Sequence, residues 1–444
     1  MKKIQVFERG NFMKTYQEMT REELTAELKG LNEEYDMYQR LNLSLNMARG
    51  KPCSDQLQLS APMMDVLSSD ANFYSRDGID CRNYGDLTGI PGAKEFMAQI
   101  MDVRPKDVII YGNSSLSVMF DTVARSYSAG VLGHTPWCKL DQPVKFLCPV
   151  PGYDRHFAIL DYFNIEPIQV PMTEQGPDMD IVEKLVSEDE MIKGIWCVPK
   201  YANPTGISYS DETVRRFAAL KPAAADFRIY WDNAYAVHHL YDDPQQQDQI
   251  LNILKECREA GNDDMAYMFA STSKITFPGS GISALATSPN NRKQIEYQLS
   301  YQTIGPDKMN QLRHVRFLGN LDGVRAHMSK HAAIIRPKFE CVLQKLEKEI
   351  APLNIGTWTN PRGGYFIAFD SLPGCAKAIV AKCKDAGVTM TGAGATYPKK
   401  ADPNDSNIRI APTFPTLDEL EQAMEVFVTS VKIISAQKLL DEMA

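Results

Sequence analysis

The sequence predicts an α/β protein with a large domain on a mostly parallel sheet and a smaller α+β domain. Three observations carry this. Between Ile109 and Met268, short apolar runs alternate with helical stretches. After Trp358 the pattern changes to separated strands and helices, and both chain ends read as amphipathic helices. Strand–helix alternation implies parallel strands covered on both faces, because each crossover lays a helix on the sheet.

Taken in order, the first helix opens at Thr20, where T-R-E-E puts Glu23 at the capping-box position. Leu24, Leu28, Leu31, Tyr35 and Tyr38 then recur every three or four residues, giving one apolar stripe. Strands follow at VIIYG near Ile109, KFLCPV near Phe146, GIWCVP near Trp196, FRIYWD near Ile229 and MAYMFAS near Met268. Helical patterns such as SVMFDTVARSYSA after Ser117 and DETVRRFAAL after Asp211 separate them. The proline- and glycine-containing stretch 128–142 reads as a surface insertion, and 329–349 as a long helix. GGYFIAF and NIRIAP are strands of the smaller domain. Thr416 and Glu419 repeat the capping box before Leu420, Met424, Phe427 and Val431.

Composition excludes several classes. Forty-eight Lys and Arg stand against 56 Asp and Glu, a net charge of −8, so neither nucleic acid nor an anionic membrane is the expected partner. No apolar run approaches the roughly 18 residues needed to span a bilayer. Nine cysteines are scattered without a C-x-x-C pair, several of them inside apolar runs. That usage suits a reducing cytoplasm, and cytoplasmic is the expected location. MKKIQVFERGNF has no apolar core behind its lysines and is not a signal peptide; Met13 is an alternative start. His238 and His239 are adjacent and lack H-E-x-x-H spacing, so they read as structural and no metal site is expected. T-G-A-G-A-T at Thr391 lacks the context of a dinucleotide fingerprint.

Parallel sheets place ligands at the carboxyl ends of their strands. Four strands here end in polar groups. One runs into Lys200, Tyr201, Ala202, Asn203, Pro204, Thr205 and Gly206, a turn presenting the Asn203 amide. Another ends W-D-N-A-Y with Asp232 and Tyr235; a third ends S-T-S-K with Ser271, Ser273 and Lys274. The earliest leads through Gly112 into Asn113, Ser114 and Ser115 at a helix start, whose free N–H groups suit a phosphate. Taken singly, each has an ordinary reading as a turn, a cap or a solvated loop. Together they supply what pyridoxal 5′-phosphate requires: a Schiff-base lysine, a carboxylate at the pyridine nitrogen, donors for the ring hydroxyl and an anion site. A carboxylate beside the ring nitrogen favours its protonated form, which makes the ring an electron sink.

With NMARGKP at Asn46, RNYGDLTGIPGAKEF at Arg82, GNSSLSVMFD at Gly112, CPVPGYDRHF at Cys148, KYANPTG at Lys200, WDNAY at Trp231 and STSKITFPGSG at Ser271, the chain resembles the fold-type I pyridoxal-phosphate aminotransferases of the class I and II superfamily. TIGPDKMNQLRH, PRGGYF and NIRIAPTFP continue the match from Thr303 to Pro415, most closely to the bacterial type Ic aspartate aminotransferases. The resemblance implies a seven-stranded, mostly parallel sheet. It divides the chain into 1–55 (helix and arm joining the small domain), 56–325 (large cofactor domain) and 326–444 (small domain). Lys274 would carry the Schiff base, Asp232 would hold the pyridine nitrogen, and Asn203 and Tyr235 would contact the ring hydroxyl. Tyr153 would stack on the ring, with Asn113, Ser114, Ser115, Ser271 and Ser273 in the phosphate-binding segments. Arg409 would bind the substrate α-carboxylate, with Asn203 and Gly50 also lining the substrate. Tyr84 would reach the phosphate of a neighbouring subunit, implying a homodimer with shared sites. The implied reaction is ping-pong transfer from L-aspartate to 2-oxoglutarate. The alternatives are another amino donor (alanine or an aromatic amino acid), a lyase or decarboxylase, or a DNA-binding regulator with an aminotransferase-like domain; the last would need a winged-helix segment that the residues before Asn42 do not supply.

Two gaps remain in this pattern. Where many relatives have P-G-x-R, with the arginine on the cofactor phosphate, this chain has Gly281. The cation for a substrate's distal carboxylate is also open among Arg49, Lys51, Lys308, Arg313 and Arg362.

Overall fold

The structure is a computed structural model, and it describes residues 14–444. The readings of the first twelve residues and of Met13 fall outside them. The described residues form thirteen strands: β1 Leu45–Asn46, β2 Val108–Tyr111, β3 Lys145–Val150, β4 Glu166–Thr173, β5 Gly176–Pro177, β6 Ile192–Cys197, β7 Arg228–Asp232, β8 Ala266–Ser271, β9 Ser283–Thr287, β10 Gly356–Trp358, β11 Ile367–Ser371, β12 Val388–Thr389 and β13 Asn407–Ile410.

The large sheet has the order β2-β9-β8-β7-β6-β3-β4-β5. It is parallel through β8, β7, β6, β3 and β4, while β9 runs antiparallel to both its neighbours. Seven strands were expected and eight are present; the eighth is the two-residue edge strand β5, which pairs with the end of β4. Strands β6, β7 and β9 are buried along their whole length. Burial on both faces is why β6 and β7 read as continuous runs rather than alternations.

The predicted caps form. The Thr20 hydroxyl accepts from the Glu23 N–H while Glu23 Oε2 accepts from the Thr20 N–H, opening the helix Arg21–Arg40. Thr416 and Glu419 make the same reciprocal pair at the helix Leu417–Glu442. These two terminal helices pack on each other, and the arm strand β1 pairs in parallel with β12, so both chain ends build one unit around the antiparallel sheet β10-β11-β13.

Two expectations change. The long helix begins at Leu321, not 329, because the Asn320 side chain accepts from the N–H groups of Asp322 and Gly323. Val324 and Met328 pack into the large-domain core, and Ile335, Phe339, Val342 and Leu346 into the small-domain core. The division expected at 325/326 therefore lies inside one helix shared by both. The stretch 128–142 is not a loose surface insertion. Val131 and Trp137 are buried in it, and Trp137 Nε1 donates to Asp226 Oδ2 at 2.9 Å, beside the buried Lys193–Asp226 pair at 2.7 Å.

Candidate active site

The polar strand ends meet in a cavity of about 560 Å³, lined by Gly50, Ser114, Ser115, Tyr153, Asn203, Asp232, Tyr235, Ser271, Ser273, Lys274 and Arg409. The adjacent parallel strands β3, β6, β7 and β8 bring the residues that end or follow them together although they are far apart in the chain, and β2, the arm and β13 supply the rest.

Asp232, the last residue of β7, is buried. His156 Nε2 lies 3.2 Å from its Oδ2, and its Oδ1 is buried without a partner. His156 is held in turn by stacking on Trp196, with ring centroids 4.4 Å apart at 12°. A buried carboxylate oxygen without a donor is costly, and a cationic ring N–H at that point would satisfy it. The donor set thus fits the cofactor the sequence implies.

Lys274 follows β8. Burial drives its pKa down, the Asp232 carboxylate opposes that shift, and Arg409 adds to it. Desolvation therefore favours the neutral amine. Its Nζ lies 4.9 Å from the centre of the Tyr235 ring and 5.9 Å from that of Tyr365. Burial raises the Tyr235 hydroxyl well above its usual range, so it remains a donor. Tyr153, on the cavity wall, is pushed up to about 12 by burial and the neighbouring Asp232 and Asp154.

At the anion end, Ser114 caps the helix Ser115–Ala129, its hydroxyl accepting from the Leu116 N–H at 3.2 Å. Ser271 Oγ donates to Ser273 Oγ at 3.1 Å, and Ser273 Oγ to the Asn113 carbonyl at 2.7 Å. The Asn113 amide donates to the Pro278 carbonyl at 3.2 Å, and Asn113 is not among the residues lining the cavity; it ties the loop after β2 to the loop after β8. At Gly281 a Cβ would come within 3.0 Å of Thr272 Oγ1 and 3.2 Å of the Asn113 carbonyl, so a larger residue would crowd this turn. Arg313 reaches the same turn, donating to Ser280 Oγ at 2.5 Å.

Arg409 enters from β13 of the small sheet. Nη1 donates to Asp154 Oδ1 and Asn203 Oδ1, and Nη2 to Thr391 Oγ1, all at 3.2 Å. Its guanidinium lies 4.7 Å from the centre of the Phe366 ring. Gly50 has a steric reason: a Cβ there would fall 2.1 Å from the Phe366 ring.

Of the five candidate cations, Arg49 and Lys51 line the cavity. Lys308 is engaged by Asp86 at 2.9 Å and the Tyr84 carbonyl at 3.0 Å, and neither Arg313 nor Arg362 reaches the lining. Tyr84 lies outside its own chain's cavity and is 83 % exposed. Sequence reasoning missed His156, Asp154, Arg155 and Thr391. Three of these stand in the quoted PGYDRHF, in the first turn of the helix Asp154–Tyr162, where such a motif signals more than its tyrosine. Thr391 opens the glycine-containing segment set aside as a failed nucleotide motif. His238 is buried against the rings of Tyr235 and Tyr365, with both ring nitrogens unpartnered.

A second cavity, of about 640 Å³, opens on the other face of β7, lined by Trp231, Asn233, Lys200 and the start of the helix Leu321–Glu349. It is the larger of the two but contains none of the converging groups.

The family model for aspartate amino-transferase matches residues 19–443. An aspartate aminotransferase of Corynebacterium glutamicum is 43% identical over 408 residues, covering 92% of this chain and 93% of its own. The crystal structure of an aspartate transaminase from that organism superposes with a TM-score of 0.92 at 41% identity, covering 96% of this chain and 99% of the other. An alpha-aminoadipate aminotransferase from Thermus thermophilus, solved with a phosphopyridoxyl-leucine, shares the fold at 18% identity and a TM-score of 0.70. The chain belongs to the aspartate amino-transferase family and is an aminotransferase of the pyridoxal-phosphate fold type I.

Proposed function

We propose that the chain holds pyridoxal 5′-phosphate and moves the amino group of L-aspartate to 2-oxoglutarate, releasing oxaloacetate and L-glutamate in turn. The carrying observation is that the desolvated Lys274 amine, the half-satisfied Asp232 and the Arg409 guanidinium share one cavity.

When bound, the cofactor supplies a carbonyl that takes up an amino group and a ring that accepts charge left at a substrate Cα. Asp232 would hold its ring nitrogen, with His156 orienting the carboxylate. Tyr235 and Asn203 would meet its ring hydroxyl, and Tyr153 its face. Ser114, Ser115, Ser271, Ser273 and the first amides of the helix Ser115–Ala129 would meet its phosphate. Arg409 binds the substrate α-carboxylate by two parallel N–H donors, a geometry suited to guanidinium. Lys274, as a neutral amine, takes the proton from Cα and returns it on the cofactor side. The Tyr235 and Phe366 rings keep this end of the cavity apolar, which strengthens the charge interactions inside it.

Two observations support a dicarboxylate substrate. The Corynebacterium glutamicum relative is named an aspartate aminotransferase. The cavity wall also carries Arg49, Lys51 and Arg155, and among the described residues none of the three has an ion-pair partner. Arg49, Lys51 and Arg155 are therefore the candidates for the distal carboxylate. Tyr84, exposed and away from its own cavity, is placed as a residue serving a second copy would be, which supports a homodimer with shared sites.

The test is the visible spectrum of the purified, cofactor-loaded protein before and after L-aspartate is added without any oxo acid. Loss of the yellow band, and its recovery with 2-oxoglutarate, is expected. A band that ignores aspartate but responds to alanine or phenylalanine would overturn the substrate; a protein that never yellows would overturn the cofactor.

A further inference from the structure

Behind Lys274, away from the cavity, the chain turns through residues 272–276 amid buried polar groups that the reaction described above does not use. Gln56 Oε1 accepts from the Cys53 N–H at 3.1 Å, which leaves Gln56 Nε2 as a donor. That nitrogen faces His331 Nδ1 at 3.0 Å and the Tyr365 hydroxyl at 3.0 Å. His331 Nδ1 must then accept, so in the neutral ring the proton sits on Nε2. The Tyr365 oxygen accepts from Gln56 and donates its own proton to the Lys274 carbonyl at 3.5 Å.

His327 Nε2 lies 2.9 Å from the Ile275 carbonyl, which can only accept, so this nitrogen also carries a proton. The two Nε2 atoms are 3.2 Å apart beside the Ile275 carbonyl, with the ring centroids 4.8 Å apart, so the His331 ring packs edge-on against the ring that holds this carbonyl. On the turn's other side, His314 Nδ1 donates to the Asn310 carbonyl at 2.8 Å, so its Nε2 accepts from the hydroxyls of Thr276 at 2.9 Å and Thr272 at 3.1 Å. Burial lowers the pKa of all three histidines, His331 to about 3 and His314 to about 4. Each is a neutral ring with one defined tautomer.

We propose that Tyr365, His331 and His327, joined through Gln56, are positioning residues for Lys274: they hold the carbonyls of Lys274 and Ile275 and so fix the arc through which the lysine amine reaches. None lines the cavity, so each acts only through Lys274. A lysine that both carries the cofactor and moves a proton must return to one place, and small displacements of a reacting group cost rate steeply. Gln56 adds a second connection. It stands in the short helix Ser54–Gln58, directly after the arm residues Arg49, Gly50 and Lys51 on the cavity wall, so the same hydrogen-bond chain joins the substrate-facing arm to the lysine's backbone.

The inference rests on the cofactor reading above, and the test separates the two. Tyr365→Phe removes one hydroxyl and leaves the ring in place; His331→Gln is the second variant. Both are compared with the parent, each loaded with pyridoxal phosphate, for thermal midpoint, for the pH midpoint of the visible band, and for kcat and KM with L-aspartate. We expect Tyr365→Phe to fold with a thermal midpoint close to the parent's, the band's pH midpoint to move by about half a unit, and kcat to fall roughly tenfold with KM changed less than about twofold. A Gln56→Leu, Tyr365→Phe double variant loses no more than its worse single member, because both act through one chain of bonds. A lowered thermal midpoint with the band and kcat at parental values in both single variants would make the network merely structural and overturn the proposal. A parent that shows no visible band overturns the cofactor reading, and with it this one.

Discussion

Two side chains of opposite charge on the cavity wall, Asp232 and Arg409, are held in opposite ways. Asp232 ends a strand buried on both faces and paired on both sides; one histidine meets one of its oxygens, and the other oxygen meets nothing. Arg409 sits on β13, which pairs only with β11, and is engaged by Asp154, Asn203 and Thr391. Asp154 and Asn203 come from the large domain, Thr391 and β13 from the small one. The carboxylate is therefore a rigid socket with an unmet bond, whereas the guanidinium already holds an acidic partner that a substrate must replace or share. On the function proposed above, the cofactor end is preformed and the substrate end is provisional.

The largest effect should come from the group between them. Lys274→Ala removes both the covalent attachment and the proton carrier, and transamination should fall by roughly 10⁴-fold or more. Activity near the parent's would mean another lysine does this work. Asp232→Asn keeps the shape of the socket and removes its charge. If the preformed end matters as argued, kcat should fall roughly 10²- to 10³-fold and cofactor should be lost more readily on dialysis. An unchanged kcat would dissolve the contrast between the two ends.

Arg409→Lys addresses the other end. A lysine keeps the charge but loses the fork, and charge-assisted bonds of this kind are worth about 1.5–3 kcal/mol. KM for aspartate and 2-oxoglutarate should both rise, by roughly ten- to a hundredfold. A rise for one substrate alone would place Arg409 on the side chain rather than on the shared α-carboxylate.

The same contrast separates what the sequence makes legible from what it does not. Asp232, Lys274, Asn203 and the serines are legible because each ends a strand, and in a parallel sheet strand ends converge whatever lies between them. Arg409 is legible because an arginine inside the apolar N-I-R-I needs an anionic partner. The partners of these groups are not legible. His156 stands 76 residues from Asp232 and Asp154 stands 255 from Arg409, separations that no periodicity reports. The strand Ser283–Thr287, made of S-A-L-A-T, went unread because small residues give little apolar signal, although it is paired on both sides, between β2 and β8. The extra strand β5 is two residues long and exists only through its pairing with β4.

The smallest predicted effect is the most discriminating. Asp154 contacts Arg409 at 3.2 Å, and its side chain is 36% exposed. A pair this open to solvent is worth no more than about 1 kcal/mol. While it stands, an arriving α-carboxylate meets a guanidinium already partly neutralised and a like charge beside it. Asp154→Asn removes that charge and keeps an oxygen that can accept from Nη1. KM for aspartate and for 2-oxoglutarate should therefore fall together, by up to roughly fivefold, with kcat unchanged, because ground and transition states both carry the α-carboxylate. If KM instead rises for both substrates, Asp154 orients Arg409 for substrate rather than competing with it, and the substrate end is as preformed as the socket across the cavity.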